Sequence, residues 1–107
     1  MDIVCTIDVR QDARVWIRGF DWDDVNVGHI ATHGVAPDEI EEALADDAPL
    51  VLRGSAGSYL GYDRTFDGRL LFIVFVRKRR GLVRAITARD MTGRESKLYR
   101  RQRGGRR

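Results

Sequence analysis

Apolar residues recur along the chain at two different spacings, and these spacings predict its helices and strands. Near the start, apolar and polar residues alternate, which predicts a half-buried strand; the apolar positions are Ile3, Cys5, Ile7 and Val9. Residues 15–17 can extend a second short strand. From Trp22 to His33 the spacing changes to that of a helix with one apolar face.

Residues that favour helix ends bracket two predicted helices. Asp21 is placed as an N-cap, with Phe20 before it as a hydrophobic staple. Gly34 suits the position after a helix, so the first helix is expected to end at His33. Pro37 suits the first turn of a second helix, whose acidic residues favour its positive N-terminal end.

The second half of the chain predicts a meander of strands and one more helix. The predicted strands are residues 49–53, 58–66, 69–77 and 82–89. Asp67 and Gly68 stand between two apolar runs, which predicts a hairpin with a type I′ turn. Thr92 and Glu95 have capping-box spacing and predict a helix through Tyr99 or beyond.

These elements predict an α+β fold: two N-terminal helices, an antiparallel three- to four-stranded sheet, and a C-terminal helix. The helices are expected to cover one face of the sheet. We divide the chain into an N-terminal extension at 1–19, which can add a strand, a domain at 20–99, and a basic tail at 100–107.

Composition narrows the function classes. A chain of 107 residues is long enough for one hydrophobic core. Cys5 is the single cysteine, so no internal disulfide is possible, and no Cys/His spacing matches a zinc site. No apolar run has the length of a bilayer span, and the first residues do not resemble a secretion signal. We therefore expect a cytoplasmic protein without metal, cofactor or membrane partner.

Charge is distributed unevenly along the chain. Residues 1–63 contain four basic and 13 acidic residues, a net charge of −9. Residues 64–107 contain 15 basic and three acidic residues, a net charge of +12, and the two parts give the overall +3. Of the 19 basic residues 17 are arginine, whose planar guanidinium binds phosphate bidentately and stacks on bases. This pattern favours RNA as the target of the C-terminal half.

Three motifs follow one another in order between Phe20 and Tyr99. The first consists of Phe20-Asp21-Trp22-Asp23, Asn26, His29-Ile30, His33-Gly34-Val35 and the acidic helix after Pro37. The second is Arg64-Thr65-x-Asp67-Gly68-Arg69-Leu70-Leu71. The third is Arg84-Ala85-Ile86-Thr87-Ala88-Arg89-Asp90-Met91-Thr92, followed by Glu95 and Tyr99. Together these three motifs resemble the BrnT family of toxins. The chain departs from that family at Thr32, where many members carry lysine.

The resemblance implies a RelE-like fold and the toxin component of a type II toxin–antitoxin system. Such a toxin is an endoribonuclease that needs no metal, cleaves RNA and inhibits translation. Its partner would be a cognate antitoxin, through which alone it would contact operator DNA. The candidate catalytic residues are His33, Arg64, Arg84, Arg89, Glu95 and Tyr99.

Metal-free RNA cleavage needs a base, an acid and cations that stabilise the phosphorane. His33 can transfer protons, or it can simply satisfy carbonyls at the end of a helix. His29 and His33 have the spacing of a metal pair, but no third ligand accompanies them, and His29 is expected to pack beside Trp22.

Each remaining candidate also has a structural interpretation. Arg84 and Arg89 would face opposite sides of a regular strand, so a bulge or a strand end is needed to bring them together. One of them can hold phosphate while the other pairs with Asp90 or Glu95. Glu95 can cap its helix, and Tyr99 can contact RNA or bury its ring. Arg64 lies near the predicted hairpin.

A basic run follows the most apolar strand and is the predicted RNA-binding segment: Arg77, Lys78, Arg79 and Arg80. The alternative for this run is a solvated loop. The alternative function is a non-catalytic RNA- or protein-binding module on the same fold. A DNA-binding regulator is disfavoured, because no helix-turn-helix pattern is present.

Overall fold

The computed structural model describes residues 5–9, 13–45 and 50–104, and the side chains of residues 17–45 and 50–102. The strands are β1 (Cys5–Val9), β2 (Ala13–Ile17), β3 (Gly19–Phe20), β4 (Leu50–Arg53), β5 (Ser58–Arg64), β6 (Leu70–Arg77) and β7 (Leu82–Asp90). The helices are α1 (Asp24–Ala31), α2 (Pro37–Leu44) and α3 (Gly93–Gly104).

Within the described residues the strands form one sheet in the order β2-β1-β4-β5-β6-β7-β3. The pairs β1–β4 and β3–β7 are parallel, and the other pairs are antiparallel. The predicted α+β class is confirmed. The predicted layout is wrong in two respects: three strands precede the first helix, and the sheet is mixed. Its central meander of β4 to β7 is antiparallel, as expected.

The helices lie on both faces of the sheet, so the prediction that they share one face is also wrong. Leu71, Ile73 and Phe75 of β6 are fully buried in the core that contains Ile30 of α1 and Leu44 of α2. The alternate residues of β6 face the other way, where a second cluster contains Phe72, Leu70 and Tyr99 of α3. Each buried large apolar side chain contributes about 1.5–3 kcal/mol, so each face anchors its own helices.

The N-cap of α1 is Asp23, not Asp21 as predicted. The Asp23 carboxylate accepts hydrogen bonds from the backbone N–H groups of Val25 and Asn26, and Asn26 Oδ1 accepts one from the Asp23 N–H. This reciprocal capping box fixes the start of the helix at Asp24. The helix itself ends at Ala31, before His33, and a turn continues to Gly34, which has φ +72°.

The hairpin between β5 and β6 is confirmed, but its turn is not type I′. A type I′ turn needs positive φ at both central residues. Among the described loop residues only Gly68 has positive φ, at +90°, and its N–H donates to the Thr65 carbonyl. Because Thr65 N–H also donates to the Arg69 carbonyl, this is a three-residue loop closed by a left-handed glycine.

The other predicted helix boundaries agree with the structure. Pro37 is the first residue of α2. Thr92 and Glu95 form the expected capping box: Thr92 Oγ1 accepts from the Glu95 N–H, and Glu95 Oε1 accepts from the Thr92 N–H. The helix α3 continues to Gly104, so the beginning of the basic tail is helical.

Candidate nucleic-acid interface

A β-bulge in β7 places Arg84 and Arg89 on the same face of the sheet. In the β6–β7 ladder Arg84 pairs with Val76 and Arg89 pairs with Phe72. Val76 and Phe72 both belong to the β6 residues that face the second cluster, so both arginines lie on that face of the sheet. The register shifts between Val74 and Phe75, where β7 carries Ile86 as an extra residue. Without this residue the two arginines would point to opposite faces. The β6 partners of Arg84 and Arg89 are four residues apart, so the two guanidinium groups do not converge on one phosphate.

Arg89 and Glu95 form a bidentate ion pair at the start of α3. The guanidinium nitrogens donate to Glu95 Oε1 at 2.8 Å and Oε2 at 3.0 Å, and Nη1 also donates to the Asp90 carbonyl. Hydrogen bonding from Arg89 lowers the pKa of Glu95 below its ordinary value, while partial burial opposes the shift. Glu95 is therefore a carboxylate at neutral pH.

Aromatic rings pack against the Arg89–Glu95 ion pair on the side of the sheet. The Arg89 guanidinium lies over the ring of Phe72, 4.5 Å from its centroid, in cation–π geometry. Phe72 in turn packs against Tyr62, with ring centroids 5.2 Å apart. Burial raises the pKa of the Tyr62 phenol, as does the charge of Glu95. Tyr99 is 2% exposed in the same cluster, so its ring is a packing element of α3.

Arg84 belongs to a separate ion pair at the β3–β7 edge. Its Nη1 and Nη2 atoms donate to the two carboxylate oxygens of Asp23 at 2.9 and 3.1 Å, and Asp21 accepts at 3.4 Å. Hydrogen bonding from Arg84 lowers the pKa of Asp23. Arg84 thereby ties the N-cap of α1 to β7, and its charge is neutralised locally.

None of the described contacts of His33 or Arg64 is with the Arg89–Glu95 pair. His33 is exposed in the turn after α1, and its ring contacts that of His29 edge to face at 5.8 Å. It is His29 that contacts β7, with Nε2 3.1 Å from Thr87 Oγ1. The predicted packing of His29 beside Trp22 is not among its described contacts. Arg64 is exposed at the end of β5, two residues beyond Tyr62 on the same side of the strand.

The predicted RNA-binding run forms the turn between β6 and β7 and is exposed throughout; its residues are Arg77, Lys78, Arg79 and Arg80. Arg80 has φ +61°, an unusual conformation for a residue with a side chain. Its carbonyl accepts from Arg18 Nη1 at 3.4 Å, which adds another cation to this end of the sheet. The turn lies five residues of β6, roughly 17 Å, from the position of Phe72.

A second basic surface, the outer face of α3, was not predicted residue by residue. The helix buries or half-buries Glu95, Ser96, Leu98, Tyr99 and Gln102. The remaining positions between them are exposed and basic; this basic face consists of Arg94, Lys97, Arg100 and Arg101. Helical spacing alone could have revealed it, since the basic residues alternate with the apolar stripe. None of the ion pairs within the described side chains involves these four residues.

Arg69 is the residue that sequence reasoning missed. Its Nη1 atom donates to both carboxylate oxygens of Glu39 at 2.9 Å and to the Gly34 carbonyl at 3.0 Å, and Nε donates to Asp90 at 2.8 Å. One guanidinium thus joins the α1–α2 loop, the N-terminus of α2 and the end of β7. It is an element of the scaffold that holds β7 in place.

Comparison with known proteins places no constraint on these assignments. The chain matches no protein-family model, no curated protein and no solved structure. None of the helices in the described part of the chain is long and apolar enough to cross a membrane.

Proposed function

We propose that this chain is an RNA-binding toxin of the BrnT type, with a RelE-like fold and endoribonuclease activity that needs no metal. The observation that carries the proposal is that the described basic side chains of the chain fall into two groups, those paired with carboxylates and those exposed without an ion pair. Arg84 and Arg89 are held by carboxylates on one sheet face, whereas the β6–β7 turn and the basic face of α3 are exposed. Exposed cations of this kind bind a polyanion by releasing its counterions.

The Arg89–Glu95 pair supplies the chemistry in this proposal. An RNA phosphate takes the place of the carboxylate on the Arg89 guanidinium, close to the positive N-terminal end of α3. Glu95, freed from its cation, then accepts the proton of the 2′-hydroxyl, and the 2′-oxygen attacks phosphorus. The bond to the 5′-oxygen breaks, which leaves a 2′,3′-cyclic phosphate and a 5′-hydroxyl. Solvent protonates the leaving oxygen in this proposal, because none of the described contacts of His33 is with Arg89 or Glu95.

Arg64 and Tyr62 complete the proposed site without direct contact to Glu95. Arg64 is exposed on the same side of β5 as Tyr62, where it can contact a neighbouring phosphate. Tyr62 keeps its proton at neutral pH, because burial raises its pKa. Tyr99 positions α3 by packing in the apolar cluster. A cognate antitoxin would mask the basic surfaces, and contact with operator DNA would pass through that partner.

A second candidate function is a non-catalytic RNA- or protein-binding module on the same fold. Its support is the bidentate geometry of Arg89 with Glu95, which occupies both ends of the guanidinium fork. A pair of this kind stabilises a helix start without any catalytic role. The two candidates share the basic surfaces and differ only in what Glu95 does.

A matched pair of variants separates the two candidates. Glu95→Gln removes the carboxylate but keeps a side chain that supports a capping box. Glu39→Gln is the control, because Glu39 also accepts from the N-cap N–H of its helix, that of Ala36 in α2, and pairs with an arginine, Arg69. Purified proteins are incubated with end-labelled RNA in the presence of EDTA, and the product termini are identified.

The toxin proposal expects cyclic-phosphate products and a loss of rate on the order of a hundredfold in Glu95→Gln. RNA affinity should not fall in either variant and should rise in Glu95→Gln, because the phosphate no longer competes with a carboxylate for Arg89. Glu39→Gln should cleave at the wild-type rate. RNA binding without cleavage by the wild-type chain would support the non-catalytic module instead.

A further inference from the structure

An open groove carrying negative charge lies beside α2. It has a volume of about 370 Å³, and this acidic groove is lined by Phe20, Asp38, Glu41, Glu42 and Phe66. Glu41 accepts a hydrogen bond from Trp22 Nε1 and Glu42 accepts one from the Phe66 N–H, both neutral donors. No ion pair among the described side chains includes Asp38, Glu41 or Glu42, so their charges are not compensated.

Phe66 gives the groove an apolar anchor. It is 79% exposed, more than the other large apolar side chains that the structure describes as exposed. Its backbone is fixed by the hydrogen bond to Glu42 and by the hairpin loop around Gly68. An exposed aromatic side chain on a fixed backbone, beside carboxylates that no basic side chain pairs with, is typical of a protein-binding surface.

The chain itself carries the complementary surface. The basic face of α3 presents Arg94, Lys97, Arg100 and Arg101 on a helix, and long basic side chains cover apolar rings with their methylene stems. A guanidinium can also lie over an exposed Phe ring while it pairs with a neighbouring carboxylate. RNA is unsuited to the groove, because the carboxylates would repel its phosphates.

One molecule cannot bring its own two surfaces together. The helix α2 packs on one face of the sheet with Leu71, Ile73 and Phe75, and α3 packs on the other face with Phe72. We therefore propose that copies of the chain associate head to tail, with the basic face of α3 on one copy bound in the acidic groove of the next. Because the two surfaces differ, such an interface leaves one of each free and continues to grow unless a ring closes.

RNA and a second copy then compete for the basic face of α3. This competition rests on the proposed RNA-binding function, whereas self-association does not. Added RNA should dissolve the oligomers, and dilution should favour the RNA-bound monomer. If the chain binds no RNA but still associates head to tail, the proposed function fails and the present inference stands.

Sedimentation velocity of the full chain tests the association. The sedimentation coefficient should rise with protein concentration at low ionic strength. It should fall to the monomer value at about 0.5 M salt, where the Debye length is roughly 4 Å. A monomer at every concentration in low salt would overturn the proposal and leave the groove to a partner of different sequence.

Two variants locate the interface, and a third is the matched control. The groove variant carries Asp38→Asn and Phe66→Ala, and the control carries Asp24→Asn and Val25→Ala. Each removes one acid from the first turn of a helix and truncates one exposed apolar side chain. The groove variant should lose tenfold or more in the association constant, roughly the effect of one interface anchor. The control should associate like wild type, and equal losses would contradict the proposal.

A mixing experiment distinguishes head-to-tail binding from a symmetric dimer. The α3 variant carries Arg94→Gln, Lys97→Gln and Arg101→Gln. Each variant alone should remain monomeric, because one of its two surfaces is impaired. An equimolar mixture of the groove variant and the α3 variant should form a 1:1 heterodimer that grows no further. Failure of the mixture to associate, while wild type does, would overturn the head-to-tail arrangement.

Discussion

Glu95 accepts both ends of the Arg89 guanidinium while it closes the capping box of α3. One carboxylate therefore serves the helix start and the ion pair at once. Glu39 has a similar position at the start of α2, where its carboxylate accepts from the Ala36 N–H and from Arg69 Nη1, although Ala36 has no side chain that could complete a capping box. The two glutamates share a structural role, and only Glu95 lies beside the exposed cations of α3. An effect on RNA cleavage that is seen in a Glu95 variant, and not in the matching Glu39 variant, can therefore be assigned to the chemistry of Glu95.

Acid should destabilise the protein through these carboxylates. Their hydrogen bonds to arginine and backbone N–H groups hold the folded-state pKa of Glu95 and Glu39 below the unfolded value of about 4.3. Depressed values contribute stability that is complete above the unfolded pKa and is lost as the pH falls through the folded one. The melting temperature should therefore decline below about pH 4.5.

Glu95→Gln and Glu39→Gln should each flatten this acid decline, because neither variant carries the titrating group. The check is thermal unfolding from neutral pH to about pH 2.5, a window that spans the unfolded pKa of glutamate. An acid decline as steep as that of wild type in both variants would show that other groups control acid unfolding.

Arg89→Ala should lower stability as well as RNA cleavage. The variant loses a partly exposed bidentate pair and the contact with Phe72, together about 1–2 kcal/mol of the free energy of unfolding after solvent screening. Arg89→Lys should recover part of the stability but little of the cleavage, since a point charge does not reproduce the fork. Denaturant unfolding and RNA cleavage are measured on both. Full cleavage by Arg89→Ala would exclude Arg89 from the site.

RNA affinity should depend steeply on salt. Each phosphate contact with single-stranded RNA contributes about −0.7 to the slope of log K against log salt concentration. Replacement of Arg94, Lys97 and Arg101 by glutamine should reduce the slope by about two. Fluorescence anisotropy with labelled RNA at several salt concentrations gives both slopes. The same slope for both proteins would remove the basic face of α3 from the RNA interface.

Local sequence identified the starts of α2 and α3 because the residues that indicate them, Pro37 for α2 and the Thr92–Glu95 capping box for α3, lie within four positions of each helix start. The choice between Asp21 and Asp23 depended on Asn26, whose side chain closes the capping box and whose Nδ2 atom also donates to the Asp21 carbonyl. Aspartate is favoured at the N-cap position, and both Asp21 and Asp23 meet that preference, so the sequence alone could not decide between them.

Long-range pairings were not predictable from one sequence. The two-residue strand β3 pairs with β7 across more than 60 positions, and only this contact makes that edge of the sheet parallel. The Arg89–Glu95 pair spans six positions and was anticipated as an alternative, whereas Arg69 reaches Glu39 and Asp90 across 30 and 21 positions. The bulge at Ile86, which puts Arg84 and Arg89 on one face, leaves no mark in the apolar pattern.

Two glycines should respond to alanine in opposite directions. Gly68 has φ +90°, so Gly68→Ala should cost about 1–2 kcal/mol although the added Cβ meets no atom within 4 Å. Gly28 lies in α1 with equally open space and ordinary helical backbone, so Gly28→Ala should stabilise by about 0.5–1 kcal/mol. Urea unfolding of both variants measures the difference. Stabilisation by Gly68→Ala would show that the hairpin loop adopts another conformation.

Arg69 should be among the most sensitive basic residues, although it was not proposed as functional. Its guanidinium contacts Glu39, Asp90 and the Gly34 carbonyl, so Arg69→Ala leaves the partly buried Glu39 carboxylate and two exposed acceptors without their donor. Loss of charged hydrogen bonds of this kind costs about 2–3 kcal/mol after allowance for solvent. Arg64→Ala, five residues away on the same hairpin, removes an exposed arginine and should cost less than about 0.5 kcal/mol.

The variants Arg69→Ala and Arg64→Ala also distinguish a residue that stabilises the fold from a residue that binds RNA. Arg69→Ala should lower the melting temperature and leave RNA affinity per folded molecule unchanged, because its cation is neutralised by Glu39 and Asp90. Arg64→Ala should do the reverse, weakening RNA binding without an effect on unfolding. Chemical unfolding and anisotropy, both at a temperature where each variant is folded, give the two readouts. If Arg69→Ala weakened RNA binding while its stability stayed at the wild-type level, Arg69 would belong to the interface and its ion pairs would be incidental.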